Sequence, residues 1–148
     1  MPAVSNPALF DSSVYIRAFR GESESGLLLG LLSARWQQKA PLWMSSVVLE
    51  ELYAGADSSS QKIIEKLERD FESAGRVLVP NLRDWVQTGK ALSKVGRKYG
   101  YERIGQGRLT NDALIATSAA RTGITVITAN ARDFARLAEF CPVQWEVR

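Results

Sequence analysis

LTNDALIATSAARTGITVITANARDF, residues 109–134, reads as an apolar helix, a glycine turn, a β-branched strand and the start of a second helix. Helical periodicity puts Ile115, Ala116, Ala119, Ala120 and Gly123 within about 80° of Asp112. That carboxylate therefore heads the face on which the helix packs. Among alanine and glycine it is costly to bury unless it is paired, hydrogen-bonded or bound to a cation. It also has an ordinary role open to it: Thr110 or Asn111 caps the helix, and Asp112 favours its positive end.

Working outward, the same alternation of short apolar runs and helical periodicity continues. Residues 8–11 read as a strand and Ser12 starts a helix. Residues 24–39 form a leucine-rich helix ended by Pro41, residues 42–45 a second strand, and Ser46 caps a helix, VVLEELYAGA, that stops at Gly55. Residues 59–74 form a further helix and residues 76–80 a third strand, after which Asn81 caps a long basic helix through Tyr99. A loop, GYERIGQGR, leads into the helix of Asp112. Downstream, residues 124–128 are a strand, Asn130 starts a short helix, and residues 143–145 are the candidate fifth strand.

Strands alternating with helices predict an α/β sandwich with a mostly parallel sheet of four or five strands. The chain has 148 residues, 45% of them hydrophobic, enough to build one domain over residues 1–148 without a covalent staple.

Composition narrows the chemistry. The chain has no histidine, which excludes histidine-based triads, acid-base pairs and metal ligands. The single cysteine, Cys141, excludes an internal disulfide and a multi-cysteine zinc site, and reads as a small packed residue. The first ten residues lack the basic start and apolar core of a signal peptide, and residues 27–34 are too short an apolar run to span a bilayer. The expectation is a soluble, cytoplasmic protein with no membrane partner.

In a parallel sheet, ligands gather beyond the carboxyl ends of the strands. Asp11 stands at one such end, as do Asn130 and Asp133 in the turn TANARDF. Glu51 lies on a helix near Val47, Val48 and Gly55, with no cation one turn on, so it is the better inward candidate than Glu50. Each has a local alternative: Asp11 and Asn130 as helix caps, Asp133 in a first turn, Glu51 as a solvated side chain. Together they place several carboxylates along one edge. Such a group calls for a cation, and oxygen ligands select Mg²⁺ or Mn²⁺.

Four phrases in order, LFDSSVYI, SSVVLEELYAG, LTNDALIATSAARTG and VITANARDF, resemble the sequence blocks of PIN-domain nucleases, closest to the VapC-type toxins of bacterial toxin-antitoxin systems. The resemblance spans residues 9–134. It implies a PIN-like three-layer sandwich and a Mg²⁺-dependent ribonuclease whose metal-binding acids match Asp11, Glu51 and Asp112. In the fourth block Asn130 stands where many PIN nucleases carry aspartate, with Asp133 close by. Coordination and water positioning both remain open for that block.

Between Arg83 and Arg108 seven cations face two acids, Asp84 and Glu102. Lys90, Lys94, Arg97 and Lys98 share a helix stripe, with Tyr99, Tyr101 and Arg103 following, a combination suited to single-stranded RNA or to a merely solvated face. The leucine-rich helix is apolar on more than one face. Core packing accounts for part of this; similarity to the toxins implies a groove for a cognate antitoxin and a homodimer contact elsewhere. The competing readings are a PIN nuclease of RNA processing outside any toxin system and a noncatalytic RNA-binding module.

Overall fold

The computed structural model describes residues 6–19, 41–102 and 108–148. The leucine-rich helix expected over residues 24–39, Arg103 and the GQG of residues 105–107 lie outside the described residues. Within them the chain runs β1 (Ala8–Phe10), α1 (Ser12–Phe19), β2 (Leu42–Ser45), α2 (Ser46–Ala54), α3 (Ser58–Ser73), β3 (Val77–Leu78), α4 (Leu82–Tyr99), α5 (Arg108–Thr122), β4 (Thr125–Thr128), α6 (Ala131–Ala138) and β5 (Trp145–Val147).

The five strands form one sheet in the order β3-β2-β1-β4-β5, and every neighbouring pair is parallel. The expected α/β architecture is present. Helices flank the sheet, so β1 and β4 are buried along their whole length and read as unbroken apolar or β-branched runs rather than alternating ones. The chain moves outward from β1 to β3, then returns to the other side of β1 to lay down β4 and β5. Strand order therefore reverses between β1 and β4, which is where a parallel sheet opens a crevice at its carboxyl edge.

Local hydrogen bonds set the element boundaries, and several differ from the expected ones. Ser45, not Ser46, caps α2, because its hydroxyl accepts from the Val47 N–H at 3.2 Å. Helix α5 begins at Arg108, so Thr110 and Asn111 lie inside it and Asp112 is its fifth residue, beyond the unpaired N–H groups of the first turn. Its far end closes at Gly123 (φ 70), where the Ile124 N–H returns to the Ala119 carbonyl at 3.0 Å. That bond uses the Ile124 donor, so β4 starts one residue later than expected. Strand β3 keeps only Val77 and Leu78 of residues 76–80. Strand β5 pairs from Trp145 rather than from Val143, whose N–H turns back to Cys141 at 2.8 Å. Asn81 caps α4 as expected, in a reciprocal capping box with Asp84.

Helix α5 is buried on nearly all sides. One face joins the main core with Phe10, Met44, Val48 and Val126; the other meets Leu92, Val95 and Leu137 of α4 and α6. The expected packing role of Asp112's face is thus met, and Cys141 is a buried free thiol whose pKa is raised by burial. Tyr15 packs edge-on to Phe10, its ring centroid 5.9 Å away. No helix among the described residues is long and apolar enough to cross a membrane.

Candidate active site

Asp11 leaves β1 at the reversal point, and its backbone N–H still belongs to the sheet, donating to the Ile127 carbonyl at 3.0 Å. The side chain is 2% exposed. One carboxylate oxygen accepts from the Ser13 N–H at 3.1 Å and from the Ser13 hydroxyl; the other accepts from the Thr128 hydroxyl at 2.6 Å. Burial raises the Asp11 pKa despite these donors. Such a group is held in one orientation and made receptive to positive charge.

The turn after β4 is built from the same atoms. The Thr128 hydroxyl oxygen accepts the Asn130 N–H at 2.8 Å, and the Ser13 hydroxyl oxygen accepts the Ala129 N–H at 3.0 Å. Asn130 occupies the N-cap position of α6 but makes no side-chain capping bond. Its amide instead donates to the Asp133 carboxylate at 2.9 Å. Capping therefore does not explain Asn130; Asp133 does lie in the first turn of α6, and it is buried there.

Glu51 reaches the same region from α2. Its Oε1 is buried without a hydrogen-bond partner among the described residues. Burial raises its pKa most; nearby Ser12 and Asn111 oppose this, and the Asp11 and Glu50 charges raise it further. These neighbours put Glu51 beside Asp11 and beside the helix that carries Asp112. Asp112 is itself buried, next in sequence to Asn111. A solvated role for Glu51 does not fit an orphaned oxygen and a charged neighbour.

Among the described residues no three acid or cysteine side chains stand in a metal-binding cluster. The donor set nevertheless fits a hard cation. Asp11 and Glu51 offer only oxygen, both are desolvated, and a buried carboxylate oxygen without a donor is the atom a cation would satisfy.

The basic stripe divides. Lys90, Lys94 and Arg97 border one shallow depression with Trp85, Val86 and Ser93. Lys98 turns away and pairs with Glu139 at 2.8 Å. The residues that sequence reading missed are the hydroxyls: Ser13 and Thr128, which hold Asp11, and Ser12 beside Glu51. The serine pair immediately after Asp11 was a visible signal, since hydroxyls two residues on can close back on an aspartate. Nothing local marked Thr128.

A PIN-domain family model matches residues 8–140. Similar solved structures include DNA-bound VapBC from Salmonella typhimurium, with a TM-score of 0.67 and 22% identity over 97% of this chain and 98% of that one. FitAB bound to an IR36 DNA fragment gives 0.66 and 18% identity over 95% and 94%. VapBC-1 from nontypeable Haemophilus influenzae gives 0.60 and 23% over 95% and 97%. No curated protein matches the chain. At these identities the likeness to solved structures is one of fold. The family model, which spans both strand ends and all four acidic positions, places the chain in the PIN-domain family, whose members are generally nucleases.

Proposed function

We propose that this protein is a Mg²⁺-dependent endoribonuclease, Mn²⁺ serving in place of Mg²⁺, and the toxin of a toxin-antitoxin pair. The observation that carries the reading is the meeting of Asp11 and Glu51 at the β1/β4 crevice, with one buried oxygen of Glu51 lacking a donor. Asp11, Glu51 and Asp112 are the residues to hold the cation. When bound, such an ion activates water and neutralises the leaving oxygen of a phosphodiester.

The protein's own residues do the rest. Ser13 and Thr128 fix the Asp11 carboxylate, and Asn130 with Asp133 shapes the wall on which water and phosphate sit. Lys90, Lys94 and Arg97 are candidate contacts to more distant RNA phosphates, Lys98 being already engaged. The resemblance of the sequence blocks to VapC-type toxins, together with the shared fold of the VapBC structures, supports a cognate antitoxin as partner here. Homodimer formation is part of the same reading.

The test is cleavage of total RNA with Mg²⁺, with EDTA, and with Asp11→Asn, followed by sequencing of the new ends. Mg²⁺-dependent cleavage lost in the variant supports the nuclease; intact RNA in every reaction counts against it. Growth arrest on expression of the active protein, relieved by an adjacent small gene, separates a toxin from an RNA-processing enzyme.

A further inference from the structure

A cleft of about 510 Å³ lies beside the acidic site, between the end of α4 and the start of α6. Tyr99 and Tyr101 line it together with Arg132, Asp133 and Arg136, and Val95 and Leu109 add apolar surface. Hydrogen bonds connect it to the candidate metal-binding acid without a break. Asp11 accepts from Thr128, the Thr128 oxygen accepts from Asn130, and Asn130 donates to Asp133 in the cleft wall.

The cleft is preorganised on one side and open on the other. The Arg136 guanidinium lies 4.3 Å from the Tyr99 ring centroid, while the Tyr99 hydroxyl donates to Glu139 at 2.5 Å. Tyr99 is thus committed, and it holds Arg136 in place. Arg132 is exposed one helical turn earlier, on the same face of α6. Neither arginine has an ion pair among the described residues. Tyr101 is 59% exposed. An exposed cation, Arg132, and a second one turn on that is stacked on Tyr99, lining the same cleft as an exposed aromatic ring, suit a chain of phosphates carrying flat unpaired bases better than a duplex, whose bases are stacked on one another.

We propose that this cleft seats the single-stranded RNA next to the cleaved bond, with Arg132 and Arg136 holding phosphates and Tyr101 stacking on an unpaired base. The assignment rests on the nuclease reading above. Glu102, also in the lining, opposes phosphate and keeps the affinity of this subsite modest.

Binding of a dye-labelled single-stranded oligoribonucleotide to the full chain tests it, in EDTA so that nothing is cleaved, across a salt series. A chain of the same length lacking bases is measured in parallel. Arg132→Gln combined with Arg136→Gln should weaken binding to both and flatten the log-log salt slope by about 1.4, at ~0.7 per single-strand phosphate contact. Tyr101→Leu should weaken only the base-bearing chain, by about tenfold. Unchanged binding in the double arginine variant overturns the phosphate contacts, and equal weakening of both chains by Tyr101→Leu overturns the stacking. Cleavage by wild type in Mg²⁺ is scored separately. RNA cleaved normally by a wild type whose arginine variant binds unchanged sinks this cleft and spares the nuclease; RNA left whole by wild type sinks the nuclease and, with it, the cleft's place beside a cleaved bond.

Discussion

The Thr128 hydroxyl donates to the Asp11 carboxylate at 2.6 Å across 117 positions of sequence. Strand pairing makes the contact: Phe10 sits opposite Ile127, so the residues that follow each strand meet at one edge. The same Thr128 oxygen accepts the Asn130 N–H, so one hydroxyl both orients the acid and starts α6.

Thr128→Val keeps the shape and removes both bonds. RNA cleavage should fall by about ten- to a hundredfold, the usual cost of losing a group that orients a metal ligand. Stability should drop by about 1 to 3 kcal/mol, because the Asn130 N–H and an Asp11 oxygen lose a partner. Thr128→Ser should restore most of both. Valine and serine variants of equal activity would remove Thr128 from the site.

Glu51→Gln addresses the charge of the site. Burial raises the Asp11 and Glu51 pKa values, so the folded metal-free protein binds protons more readily than the unfolded chain. That contribution to stability is fully present below the ordinary carboxylate range and is lost as pH rises through the raised values. Metal-free wild type should therefore melt lower at neutral than at mildly acidic pH from this source, and Glu51→Gln should reduce the difference. At neutral pH in EDTA the variant should melt at or above wild type, while its gain from Mg²⁺ shrinks. A lower melting temperature in EDTA with an undiminished Mg²⁺ gain would refute the assignment of Glu51.

Asp112→Asn separates a cation ligand from a helix-end charge. As a ligand, its loss should shrink the Mg²⁺-induced rise in melting temperature and lower cleavage by orders of magnitude. As a charge favouring the helix N-terminus, its loss should cost ~0.3 to 1 kcal/mol and leave the Mg²⁺ response intact. Its position as fifth residue of α5, past the first turn, already weakens the second account.

Asp84 anchors the fold away from the site. It completes the α4 capping box and receives the Arg121 Nε at 2.9 and 3.0 Å, tying the start of α4 to the end of α5. Asp84→Ala should destabilise by about 2 to 4 kcal/mol, because the Asn81 N–H loses its partner in the capping box and Arg121 loses its charge-assisted bond to a buried carboxylate, while the Asn81 cap itself is kept. The Mg²⁺-induced shift should be retained. Loss of that shift in a still-folded variant would show that the α4–α5 junction supports the acidic site.

What the sequence by itself determined is what neighbouring residues decide among themselves. Among the described residues periodicity specified the order of helices and strands, Asn81 and Gly55 marked helix ends, and Asp11 and the Asn130–Asp133 turn were legible as polar groups beyond strand ends. The choice of Ser45 over Ser46 as a cap was not legible, because both hydroxyls suit the role and only the backbone angle at the end of β2 selects one. Only the tertiary structure decided that Thr128 serves Asp11, that Asn130 turns to Asp133 instead of capping α6, and that Arg132, Arg136 and Tyr101 line one cleft. Those relations depend on strand register and on which helix faces meet. Register follows from burying both faces of β1 and β4 at once, a property of the packed sheet and not of any one stretch of chain.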